Sequence, residues 1–465
     1  MRRGWAVVVA AVVWMAQGSG QPERRPRGEH AIEIPMSGQS PFAAGCAPEG
    51  QVGAAIPNTS VEPLVAADPG DPEHLVGVWQ QDRWTNGGAS GTLAAVSRDG
   101  GWNWTLSIPR FTRCTGGARD RASDPWVSIS PDGTVHQIAL GIDRVGTANQ
   151  SNSVLVTKSR DGGLTWSDPT TLIRDTDGGD DKESITADPT DARYVYAVWD
   201  RTDPGNRQPA YFSRTTDGGA TWEPARVIYD GGGAVYTTGN IIGVLPDGTL
   251  VDVMSLYRGS GVSLAVMRSR DHGATWSQPI IVSAIQTAGT LDTKTRAGVR
   301  AGSGLPSIAV DGNSGALYIA WQDSRFAGGR HDGIVLSKSA DGGLTWMLPQ
   351  QANQAPDFQA FTPAVAVAPD GRVAVTYYDF RNDTNDAAVL LTNRWQVTSA
   401  DGGATWTETP VGATFDLLKG PALSPSTLFL GDYQGLAASA HSFVSFSSAV
   451  GGPTAIWAAP VKARP

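Results

Sequence analysis

Between residues 125 and 173, short apolar runs alternate with turn residues. "PWVSIS" leads into the turn "PDG"; then come "TVHQIALGIDR", a polar loop, "NSVLVTKS", the tight stretch "RDGG" and "SDPTTLI". Runs of this length, rich in Val, Ile, Thr and Leu and punctuated by Gly, Pro, Asp and Asn, predict four short strands rather than helices. The same phrase recurs down the chain, so an all-β protein is expected. Only one apolar run differs, "AVVVAAVVWMA" at 6–16, which follows Arg2 and Arg3 and precedes "QGSGQ". It is too short to span a bilayer, and its order is that of a secretory signal peptide. The expected organisation is a leader at 1–20 and a single domain over 21–465, secreted, periplasmic or on the cell surface, with no membrane contact after cleavage.

An eight-residue phrase marks the third turn of each unit: "SRDGGWNW" at 97, "SRDGGLTW" at 159, "TTDGGATW" at 215, "SRDHGATW" at 269, "SADGGLTW" at 339 and "SADGGATW" at 399. Its aspartates, Asp99, Asp161, Asp217, Asp271, Asp341 and Asp401, stand 54 to 70 residues apart. That interval suits one four-stranded propeller blade with variable loops. The carboxylate accepts backbone N–H groups, and the glycines tolerate the positive φ of a tight hairpin. The tryptophan that ends the phrase is placed to pack between blades.

This phrase is the Asp-box, and over nearly all of its length after the leader the chain resembles the sialidase-like, Asp-box (BNR) β-propeller superfamily. The resemblance implies a β-propeller of four-stranded antiparallel blades. After the sixth box, "DYQGLAAS", "SFVSFSSA" and "TAIWAAPV" give three more strands and no box. Three strands leave an open edge, and "HAIEIPMS" at 30–37 can supply the fourth. Seven blades are therefore expected, with six plus a C-terminal appendage as the alternative.

Composition narrows the partners. With 17% charged residues, 56 Gly and 30 Pro, the chain suits short strands and turns, and a net charge of -9 argues against a nucleic-acid partner. A glycan substrate or ligand and a monomeric state are expected. In a propeller the loops before each inner strand and those between the second and third strands share one face, which carries the site. The boxes lie on the other.

Function is sought where the repeat breaks on that face. Glu62, Asp124 and Glu183 stand at the head of the first three inner strands, where later blades have Gly239, Leu305 and Thr362; the closing unit adds Asp432 and Tyr433. Crowded carboxyls raise one another's pKa, which keeps a general acid protonated. Tyr236, in the loop before blade four, is expected beside Glu183. The resemblance implies a tyrosine nucleophile activated by a glutamate, so Tyr236 and Glu183 are the candidate nucleophilic pair and Asp124 the candidate acid for the leaving group. Arg121, Arg258 and Arg300, with Glu62, Asp432 and Tyr433, are the candidate substrate-binding set. Sialidases carry an Arg-Ile-Pro-like segment on the first inner strand, whereas this chain has "SVEPLVAAD", so these assignments rest on topology.

Other features are weighed beside these. An Asp-Arg pair ends the second strand of most blades, read as a local ion pair. The loop "DTDGGDDKE" at 175–183 has a composition suited to calcium without EF-hand spacing; no His/Cys spacing suggests another metal. Cys46 and Cys114 permit one disulfide in an oxidising compartment. Three functions stay open: a sialidase-like hydrolase of terminal sialic acid or a related acidic sugar, a uronate lyase using a tyrosine or His331, and a non-catalytic propeller that binds glycan or protein.

Overall fold

The computed structural model describes residues 31–462 apart from 48, 206, 425 and 426; the expected leader at 1–20 lies outside the described residues. Among these residues, regular structure consists of strands and short 3-10 turns, and no helix is long and apolar enough to cross a membrane. Blade one pairs Ser60–Ala67, Leu75–Arg83, Ala89–Ser97 and Thr105–Ser107, and blade two Arg121–Ile129, Val135–Asp143, Ser151–Ser159 and Thr170–Asp175. Blade three follows with Gly179–Ala187, Val195–Thr202, Ala210–Thr215 and Arg226–Tyr229, and blade four with Val235–Val244, Leu250–Arg258, Gly261–Ser269 and Ile280–Ala284. Blade five comprises Ser307–Val310, Leu317–Asp323, Gly333–Ser339 and Gln350–Gln351, and blade six Ala360–Val367, Val373–Asp379, Leu391–Ser399 and Thr407–Pro410. The closing unit contains Gly435–Ala438, Ser442–Val450 and Thr454–Lys462, and its fourth strand is Ile34–Pro35. Each innermost strand contacts the next, and the round returns from Gly435–Ala438 to Ser60–Ala67.

The boxes fold as their chemistry requires. In blade two the Ser159 hydroxyl donates to Asp161 Oδ1 at 2.7 Å and accepts from the Gly163 N–H at 2.8 Å. Asp161 also accepts from the Thr165 N–H at 2.9 Å and the Thr165 hydroxyl at 2.6 Å. These bonds outweigh its slight burial and hold its carboxyl at about 2. Both departures from the motif keep the bonds: Asn103 Nδ2 donates to Asp99 Oδ2 at 2.6 Å where a threonine hydroxyl would, and Thr215 replaces serine against Asp217 at 2.7 Å. His272 takes the place of the first glycine at φ 53° and stacks on Tyr194 at 4.0 Å. Each box tryptophan packs between its own blade and the preceding one: Trp166 against Val76 and Val127, Trp222 against Ile138 and Trp199, Trp346 against Val253 and Leu317.

Two ties fasten the N-terminal segment. Ile34 and Pro35 pair with Ala458 and Trp457, and Glu33 forms an ion pair with Arg394 of blade six while accepting from the Ala413 N–H at 2.8 Å. Cys46 and Cys114 are joined in a disulfide across 68 residues. A loop that long restricts the unfolded chain strongly. Chemical denaturation of C46S/C114S is expected to show a loss of roughly 2–4 kcal/mol relative to wild type, with the midpoint shifted and the slope little changed.

Candidate functional site

A backbone irregularity shapes the channel mouth. The register of the inner strands slips between Val61 and Leu64, Ser123 and Trp126, Asp181 and Ser184, Thr238 and Ile241, and Phe361 and Ala364. Within these bulges Glu62, Asp124, Lys182, Gly239 and Thr362 take φ of 54°, 48°, 52°, 67° and 49°. Left-handed backbone disfavours any residue but glycine by roughly 1–2 kcal/mol, so the surroundings must hold four of these five in place. The bulge at the head of an inner strand carries its side chain toward neighbouring blades.

Three charged side chains meet there from three blades. Lys182 Nζ lies 2.9 Å from Asp124 Oδ2 and 2.8 Å from Asp432 Oδ2. Arg300 Nε donates to Asp432 Oδ1 at 2.9 Å; this arginine comes from Gly298–Arg300, a short strand that pairs in parallel with Thr427–Phe429. Glu62 accepts from Gln80 Nε2 and, at 3.3 Å, from the Asp432 N–H. Gln80 also donates to the Ser123 hydroxyl at 3.2 Å, and Ser123 donates to Asp124 Oδ1 at 2.5 Å. Gln80 and Ser123 thus link the two carboxyls. Arg83 donates to Gln80, and the Phe429 ring lies between Arg83 and Arg300, at 5.4 and 4.6 Å from their guanidinium carbons.

These surroundings drive the carboxyls apart. Burial, reinforced by Asp124, pushes Glu62 up to about 8. Burial also acts to raise Asp124, but Lys182 and the Ser123 hydroxyl prevail and hold it below the usual carboxylate range. Asp432 is buried too and lies low because of Lys182 and Arg300. Burial and then Asp124 raise Glu183 far above the ordinary value, and both of its oxygens lack a hydrogen-bond partner. Burial would lower Lys182, yet Asp124, Asp432, Asp181 and Glu62 together keep it charged well beyond the usual lysine range. The mouth therefore holds carboxyls pushed up and carboxyls held down side by side.

The structure brings together Glu62, Asp124, Glu183, Arg300, Asp432 and Tyr433 of the sequence candidates. Tyr433 packs against Trp126 with the rings tilted by 59° and their centroids 5.3 Å apart, and it donates to the Pro125 carbonyl at 3.2 Å. Burial, with Glu62 and Asp124 next, raises its phenol well above the ordinary value. Tyr236 stacks on Tyr257 at 4.4 Å, and no hydrogen bond joins it to Glu183. Arg121 is buried over the Trp84 ring at 3.7 Å and donates to Gln51, Asn86, Gly87 and Val52, which fixes it as a loop anchor. Arg258 is exposed at the end of its strand.

The sequence reading missed Lys182, Gln80 and Arg83. Glu183 had been set level with Asp124, but the bulge residue of blade three is Lys182, one position earlier. Alignment on the strand-heading acid hides that slip. The local Asp-Arg pairs hold in blades five and six, where Arg325 binds Asp323 and Arg381 binds Asp379. Elsewhere they are replaced: Arg201 joins Asp175, Asp180 and Asp203, while Asp200 accepts from the Gly239 N–H at 2.7 Å and from Asn240. Asp175 and Asp180 of the calcium-like loop are thereby tied to Arg201, and Trp199 donates to Asp180 at 3.0 Å. Among the described residues no group of three or more His, Cys, Asp or Glu side chains is arranged to hold a metal ion. His331 makes a long contact of 3.4 Å with the Asp332 carbonyl.

Two cavities lie along the axis. One of about 160 Å³ at the mouth is lined by Trp126, Ile241, Thr362, Asp432, Tyr433 and Gln434. A larger one of about 650 Å³ is lined by turn residues of the opposite face, including Pro69, Pro189, Pro246 and Pro369. The only ionisable side chain lining the larger one is Asp68, already bound to His74 at 2.9 Å. Size and chemistry therefore part company: of the charged cluster and Tyr433, the smaller cavity has Asp432 and Tyr433 in its wall, and the larger has none.

Comparison with known proteins agrees with this architecture. Residues 208–428 match the BNR repeat-like domain. A xyloglucanase of a Paenibacillus species is 30% identical over 169 residues, which is 35% of this chain and only 16% of that protein. A Dyadobacter fermentans protein of unknown function superposes with a TM-score of 0.50 at 14% identity, covering 95% of this chain and 100% of that one. A Hadza microbial sialidase superposes with a TM-score of 0.47 at 14% identity, over 84% of this chain and 74% of that one. By its boxes, its blades and the repeat domain matched over residues 208–428, the chain resembles the sialidase-like, BNR-repeat β-propellers.

Proposed function

We propose that the chain is an exported glycoside hydrolase, one seven-bladed domain over 21–465 behind a leader at 1–20, that cleaves terminal sialic acid or a related acidic sugar from glycans. One observation carries the hydrolase reading: linked carboxyls at the mouth, Glu62 and Asp124, are driven in opposite directions by their surroundings. A carboxyl that keeps its proton at neutral pH can donate it to the glycosidic oxygen, while an ionised one activates water or attacks the sugar. Glu62 takes the acid role, and Asp124, expected from the sequence as the acid but held ionised by Lys182 and Ser123, takes the base or nucleophile role. Tyr433 is a poor nucleophile, because its phenol is hydrogen-bonded and its proton is retained by burial and then by the surrounding carboxyls. The cations Arg83, Lys182 and Arg300 around the mouth support an acidic sugar. A second reading, a glycan-binding propeller without catalysis, is favoured by how little of Glu62 and Asp124 reaches solvent, 0% and 5%.

Mass spectrometry of products from a panel of sialylated, arabinan and xyloglucan oligosaccharides separates the two. Release of a free acidic sugar supports the hydrolase, and E62Q and D124N are each expected to reduce kcat by about 10²–10⁴-fold. Binding with every oligosaccharide recovered intact would move the account to the second reading. Folding stability offers a further check. The folded value of Glu62 lies above its ordinary 4.5, so its contribution is complete below about pH 4.5 and declines as pH rises toward about 8. Thermal melts are expected to show Tm falling over that window in wild type and falling less in E62Q.

A further inference from the structure

Lys182 stands where the other bulged inner strands carry Glu62, Asp124, Gly239 and Thr362, and it is the one cation in that series. Its backbone is left-handed at φ 52°, and its side chain is 12% exposed. From blade three it reaches Asp124 of blade two and Asp432 of the closing unit, at 2.9 and 2.8 Å. A lysine placed so that one ammonium serves two buried carboxylates from separate blades does more than join neighbouring surfaces. An ion pair this far from water is costly to assemble and costlier to leave half-made. We propose that Lys182 is the positioning residue of this site: by pairing with Asp124 and Asp432 at once, it fixes which carboxyls of the mouth carry charge and leaves the proton on Glu62.

The inference rests on the hydrolase reading for its functional meaning and on the ion-pair geometry for its physical content. The groups that face Lys182 and its partners are Asp124 from blade two, Glu183 and, at 3.8 Å, Asp181 on its own strand, Glu62 from blade one, Asp432 and Tyr433 from the closing unit, and Arg83 and Arg300. Arg300 already neutralises Asp432 from its other oxygen. Asp124 has no such second cation in direct contact, its other oxygen accepting only from Ser123. Removal of the ammonium therefore falls hardest on Asp124. With Asp124 protonated, the base is lost and both carboxyls compete to be the acid.

The test is carbon-13 NMR titration of the aspartate and glutamate carboxyls in wild type, K182M and K182R, with D124N to assign the Asp124 signal. In K182M the proton affinity of Asp124 is expected to rise at least tenfold, while K182R stays within about threefold of wild type; on an active enzyme the acid limb of kcat/KM moves to higher pH in K182M by the same factor. An Asp124 signal that titrates in K182M as it does in wild type overturns the proposal. Should K182M not fold, the nitrogen-15 signal of the Lys182 ammonium in wild type decides. It must shift in both D124N and D432N, and a signal unmoved by D124N overturns the proposal. Failure of the two readings is distinct: inactivity of wild type on every glycan removes the hydrolase and leaves the titration result standing, whereas an active enzyme with Asp124 unmoved removes the role of Lys182 alone.

Discussion

A ring of sheets is evenly built, with only short outer edges, when its last member finds a fourth strand. Blades one to six each bring their own, but the closing unit takes Ile34–Pro35 from the other end of the chain, and Glu33 locks that strand to Arg394 of blade six. The mouth depends on this closure. Asp432 and Tyr433 precede the inner strand of the closing unit, and they reach Glu62, Lys182 and Arg300 only because that strand sits between blades six and one. Opening the ring between the closing unit and blade one would part Asp432 and Tyr433 from Glu62.

The repeated bulge works within that closed ring. A regular strand sends alternate side chains to its two faces, into the contacts between blades. An extra residue at the head of the strand frees one position from the pattern and carries its side chain to the charged groups of other blades. Where the position is Gly239 or Thr362 the axis stays uncharged; where it is Glu62, Asp124 or Lys182 it becomes a cluster of buried charge. Burial alone would neutralise most of these groups. Their mutual arrangement decides instead which remain charged: Asp124 and Asp432 lie against Lys182, whereas the nearest group to Glu62 is an uncharged amide.

Legibility in the sequence followed the local or long-range character of each feature. The box is legible because all its bonds fall within five residues, from Ser159 to Gly163 and from Asp161 to Thr165. The acids at the strand heads stood out because a repeat makes its own exceptions visible, and Glu62, Asp124, Asp432 and Tyr433 do meet. What the sequence could not carry was register. One bulge residue separates Glu183 from Lys182, and no pattern of apolar positions records it. Tyr236 illustrates the same limit: the sequence reads it as a loop residue, whereas it lies within the inner strand Val235–Val244, and its stacking on Tyr257 depends on how two strands pair. Arg83 was assigned to its neighbour Asp82, which instead accepts from Ser40 and from the Asn58 N–H in the N-terminal segment.

The division of labour between Glu62 and Asp124 is the central claim, and protons can be seen directly. Neutron diffraction from a deuterium-exchanged crystal at pH 6 tests it most directly. The account predicts a deuteron on the Glu62 carboxyl, none on Asp124 and three on Lys182 Nζ. A deuteron on Asp124, or none on Glu62, would contradict it.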